Sequence, residues 1–108
     1  MKIVLTPNPY RDKQFRTVQQ ARKILEGCGV QTATCLPFDV DRDYELPKSI
    51  EFQDLNREIK DADIIIDGYV HFGKKEIDAM DHCKVISFQS TGYNEADLDY
   101  AKEKGIAV

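Results

Sequence analysis

Ser90, Thr91, Gly92, Tyr93 and Asn94 form the run in this sequence best suited to holding an anion. Gly92 lets a ligand approach the backbone closely, because no Cβ stands in the way. The successive N–H groups lead into a helical pattern, and the positive end of a helix dipole favours negative charge. A small carboxylate or a nucleotide phosphate is the ligand such a run would take. The competing reading is that Gly92 makes a turn and Asn94 caps the helix that follows. These five residues are the substrate-binding candidates, and no catalytic residues are assigned.

Other possible sites fail on their own chemistry. A phosphate cradle needs free backbone donors, yet Thr6-Pro7-Asn8-Pro9-Tyr10 holds two prolines, which lack them. No Gly-x-Gly-x-x-Gly and no Gly-x-x-x-x-Gly-Lys-Ser/Thr run occurs, so no cofactor is expected. Asp39, Asp41, Asp43 and Glu45 alternate as in a calcium loop, but Tyr44 and Ile50 stand where that loop needs Gly and Glu. A receiver domain would cluster metal-binding acids where Thr6 and Asn8 stand. No metal site is expected. His71 has no carboxylate or serine close by in sequence, and His82 reads as a helix-end residue. Cys28 and Cys35 are expected to pack inside.

The elements that must position the candidate run alternate along the chain. Residues 2–7 read as a first strand, and Asp12 offers an N-cap to a helix carrying Phe15, Val18, Ala21 and Leu25 on one face. Gly27 and Gly29 end that pattern, and residues 30–36 alternate as a second strand. A second helix is read from Phe52, Leu55, Ile59 and Ala62, with Asp54, Arg57, Glu58 and Lys60 outward. Ile64-Ile65-Ile66 reads as a central parallel strand covered on both faces. A weaker helix over 73–82 and a strand over 85–88 follow. The last helix has Asn94 as N-cap, a Tyr93–Leu98 staple, Ala101 on its apolar face and Gly105 at its left-handed C-terminus. Residues 106–108 read as a fifth strand.

This order predicts one α/β domain over residues 1–108, a flavodoxin-like α/β/α sandwich. Its five parallel strands would run in the order 2-1-3-4-5 with right-handed crossovers. The final helix of such a fold is missing, which predicts an uncovered sheet face and a homodimer formed through it. In an open sheet of this type, ligands bind beyond the carboxyl ends of the strands, where strand order reverses. That places the 90–94 run beside the loops after the first and third strands.

Whole-chain properties narrow the partners. A net charge of -4 and a pI near 5.1 argue against nucleic acid and membrane surfaces, which recruit positive patches. Cys28, Cys35 and Cys83 show no CxxC spacing, so neither a disulfide framework nor a zinc site is read, and a reducing, cytoplasmic setting is expected.

Two family resemblances run through the chain. Lys2 to Asp12, Leu36-Pro37-Phe38-Asp39-Val40, and Phe52-Gln53-Asp54-Leu55 on to Asp61-Ala62-Asp63 resemble the N-terminal domain of bacterial NAD kinases. In that family the following strand enters a Gly-Gly-Asp-Gly loop, whereas this chain continues Asp67-Gly68-Tyr69-Val70-His71. Lys84 to Asn94, Asp97-Leu98 and Ala101 to Val108 resemble the substrate-binding domain of D-isomer-specific 2-hydroxyacid dehydrogenases. That resemblance implies a flavodoxin-like fold and a loop, matching residues 90–94, whose N–H groups meet the substrate carboxylate. It also implies that the cofactor fingerprint and the catalytic Arg, Glu and His belong to segments outside these residues. The two resemblances meet near residues 61–66, which leads to the expectation of a chimera, residues 1–66 from one parent and 67–108 from the other. The expected function follows: an engineered or recombined scaffold that is not an enzyme. The alternative is a binding module retaining a carboxylate or nucleotide site.

Overall fold

Ile64, Ile65 and Ile66 are β-branched neighbours with no polar residue among them, a composition that suits a strand with protein on both faces. In the computed structural model, which describes residues 1–7, 15–36, 50–67, 72–88 and 98–107, they lie in the third strand of a parallel sheet. The elements follow as β1 (Lys2–Thr6), α1 (Arg16–Gly27), β2 (Gln31–Thr34), α2 (Leu55–Glu58), β3 (Ile64–Asp67), α3 (Lys74–Asp78), β4 (Val85–Phe88) and α4 (Leu98–Glu103). The sheet order is β2-β1-β3-β4 and every pairing is parallel. Instead of a full fifth strand there is one bridge, Ala107 to Val85. It is held by Ile86 N–H to the Ala107 carbonyl at 2.8 Å and Ala107 N–H to the Lys84 carbonyl at 2.9 Å. Among the described residues the chain thus returns beside β4 at Ala107, through a single bridge and not a strand.

Alternation along each strand divides the core in two. Val4, Ala33, Ile65 and Ile86 point to one face, where Leu55 and Ile59, Ile77, and Ala101 bring α2, α3 and α4 against them. Ile3 and Leu5 point to the other face and meet Phe15 and Val18 at the start of α1. Right-handed crossovers dictate this division. The step from β1 to β2 runs one way along the sheet, and every later step runs the other way. Among the described residues α1 alone covers the second face, and its cover stops short of β4. Val85 is 37% exposed there and Ser87 is exposed.

Several local expectations need correction. α1 begins at Arg16, with Phe15 as its N-cap at φ 56° and fully buried. A left-handed conformation in a bulky residue is costly, and Phe15 is held there by its packing, including an edge-to-face contact with Phe52 at 5.3 Å. Asp12 lies outside the described residues. Phe52 precedes α2 and packs toward the α1 face rather than along the helix. Asp54 caps α2 by accepting the Asn56 N–H at 3.1 Å. The helix expected over 73–82 is limited to Lys74–Asp78. Cys28 is exposed, while Cys35 and Cys83 are buried, and all three are free thiols. Gly105 does adopt the positive φ expected after α4, and Gly29, expected only to end the α1 pattern, has one as well.

Glu58, expected on the outer face, is buried and pairs with Lys2 across the amino end of the sheet. Asp61 stands 3.4 Å from the same ammonium, Arg57 reaches Glu58 at 3.1 Å, and the Asp63 carboxylate accepts the Lys2 backbone N–H at 2.8 Å. The Lys2 hydrogen bond holds the Glu58 carboxyl below its ordinary range, against the opposing effect of burial. Burial disfavours the Lys2 charge, but the hydrogen bond and charge of Glu58 outweigh it and raise the Lys2 pKa. Glu58→Gln should therefore cost about 2 kcal/mol at neutral pH, the scale of a hydrogen bond to a charged group, with Asp61 still beside the Lys2 ammonium. A depressed carboxyl pKa stabilises fully above its unfolded value and loses that contribution as pH falls through the folded value. Urea unfolding should show wild type and variant converging as the solution is acidified through the carboxylate range. A variant as stable as wild type at neutral pH would mean the pair does not support the fold.

Candidate functional site

The strand order reverses between β1 and β3, so the carboxyl ends of these two strands define the crevice where an open α/β sheet takes ligands. Register places Thr6 of β1, Asp67 of β3 and Phe88 of β4 in one row along that edge. Thr6 is 1% exposed and its hydroxyl donates to the Ile66 carbonyl at 3.5 Å, a weak tie between β1 and β3. Pro7 follows, also buried. On the neighbouring β2, Thr34 is paired with Leu5, is 3% exposed, and its Oγ1 has no hydrogen-bond partner among the described residues.

The helices beyond this edge are tied to each other. Tyr100 of α4 donates its hydroxyl to Asp78 of α3. Lys104 Nζ lies 3.4 Å from the same carboxylate and 5.5 Å from the Tyr100 ring centroid. Lys74, which opens α3, stands 5.7 Å from that centroid. The Tyr100 hydrogen bond lowers the Asp78 pKa, and the same bond raises that of Tyr100. Sequence reasoning missed this cluster because its members are polar residues on two helices, and only the packing of Ile77 and Ala101 brings them together.

Thiol chemistry is absent from the buried cysteines. Burial pushes the Cys35 thiol up to about 12, with the nearby Glu58 charge adding to the effect. Cys83 is raised as well, chiefly by burial, and its Sγ lies 3.4 Å from the Val85 carbonyl. A thiol that stays protonated is neither nucleophile nor metal ligand. Among the described residues no group of His, Cys, Asp or Glu is placed to hold a metal. None of the described helices is long and apolar enough to cross a membrane.

The sequence-derived site residues Ser90, Thr91, Gly92, Tyr93 and Asn94 lie outside the described residues, as do His71 and the acidic run from Asp39 to Glu45. What the structure brings together is their frame: the ends of β1, β3 and β4, and the helices α3 and α4 that follow the 68–71 and 89–97 segments. His82 is exposed and lies beyond the end of α3.

Comparison with known proteins supplies what geometry alone does not. Residues 16–108 match the family model of the D-isomer specific 2-hydroxyacid dehydrogenase catalytic domain. A protein of Staphylococcus saprophyticus named as a 2-hydroxyacid dehydrogenase is 36% identical over 72 residues, which are 66% of this chain and 22% of that protein. The structure of 3-phosphoglycerate dehydrogenase from Entamoeba histolytica, with NAD+ bound, superposes with a TM-score of 0.69 at 26% identity, covering 98% of this chain and 31% of that one. The D-lactate dehydrogenase from Aquifex aeolicus, complexed with NAD and lactic acid, superposes with a TM-score of 0.60 at 26% identity, covering 96% and 26% of the two chains. The chain therefore spans about a fifth to a third of the length of these proteins. These matches overturn the expectation of a non-enzyme, because the matched model is the catalytic domain of an enzyme family and the similar proteins are dehydrogenases. The match also runs unbroken through residues 61–66, so one family accounts for both sides of the expected junction.

The orphan hydroxyl of Thr34 gives a direct test of this end of the sheet. A buried hydroxyl without a partner costs about 1–3 kcal/mol in desolvation, so Thr34→Val should leave stability unchanged or raise it by about 1 kcal/mol. Chemical denaturation measures this. A loss of comparable size would show that the hydroxyl supports the fold through a contact that Val cannot make.

Proposed function

Since this chain belongs to the D-isomer specific 2-hydroxyacid dehydrogenase family, we propose that it is a substrate-domain segment of such an enzyme. It holds the carboxylate of a small 2-hydroxy or 2-keto acid through the backbone N–H groups of Ser90, Thr91, Gly92, Tyr93 and Asn94. The observation that carries this reading is the family match over residues 16–108, which contains the whole run. Backbone donors at the entrance to a helix suit a carboxylate, because they need no side-chain charge and the dipole adds to them. The position of the run, after a strand that ends beside the β1–β3 switch point, agrees with where open α/β sheets bind ligands. The sequence contains no Gly-x-Gly-x-x-Gly fingerprint for a nicotinamide cofactor. The free thiols of Cys28, Cys35 and Cys83 favour a cytoplasmic setting for this domain.

Titration with pyruvate and lactate, followed on the Gly92 and Tyr93 amide resonances, tests the reading. A saturable shift at these amides is expected. Ligand at 100 times its dissociation constant should also add about 2.7 kcal/mol to stability, seen as a raised Tm. Amides that do not move at saturating carboxylate would sink the proposal.

A further inference from the structure

We draw no further inference here: the strongest candidate, the β3–β4 part of the sheet face that carries Ile64 and Ile66, where Val85 is 37% exposed, carries nothing because nothing in the structure shows what covers it.

Discussion

The fold depends on the register between β1 and β3. Ile3 pairs with Ile64, Val4 with Ile65 and Leu5 with Ile66, so each row of the sheet continues from one strand to the next. Because side chains alternate, a slip of one residue would exchange the two faces of β1 and present Ile3 and Leu5 to the helices that now pack on Val4. The same register sets Thr6 beside Asp67 at the carboxyl edge and Lys2 near Asp63 at the amino edge. The Lys2–Glu58 pair adds to this as a polar lock, since a slipped strand would separate the two charges and leave Glu58 with Arg57 alone. Register, core division and site position are thus one constraint seen at three places.

Much of this was legible in the residues. The triple isoleucine, the glycines after α1 and α4, and the alternation of strand and helix led to the parallel sheet and its order. These are strong signals because the physics behind them is local: side-chain period, positive φ and handed crossovers. Phe15, Phe52 and Glu58 were read less well, each for a tertiary reason. Phe15 takes a left-handed conformation that no propensity would assign to phenylalanine, and burial against Phe52 sustains it. Glu58 lies on the polar side of a helical wheel, yet Lys2, 56 positions earlier in the chain, reaches it from β1. Cys28 looked like a small apolar residue, but it falls in the turn after α1, where the helix has already left the sheet.

The candidate site divides differently. The run from Ser90 to Asn94 was read from one glycine and a cap-like asparagine before a helical pattern, and it lies outside the described residues. The cluster of Tyr100, Asp78, Lys74 and Lys104 was not legible, since these residues form no pattern within either helix. Loops beyond strand ends owe their placement to the elements on each side. In this chain α4 is six residues long, and among the described residues the buried Ala101 and the Tyr100–Asp78 bond hold it.

The double resemblance has a physical origin. A short first strand, an amphipathic helix, an alternating edge strand and an apolar central strand are what any doubly wound sheet requires. Two families that share this requirement write similar text in those segments, since cores accept aliphatic exchange when period and volume are kept. Resemblance over such segments therefore weighs more on fold than on descent. The residues that separate families are those that the sheet does not need, chiefly the loops at the carboxyl edge. Here the text after β3 departs from the kinase pattern, and the family match over residues 16–108 takes in the text after both β3 and β4.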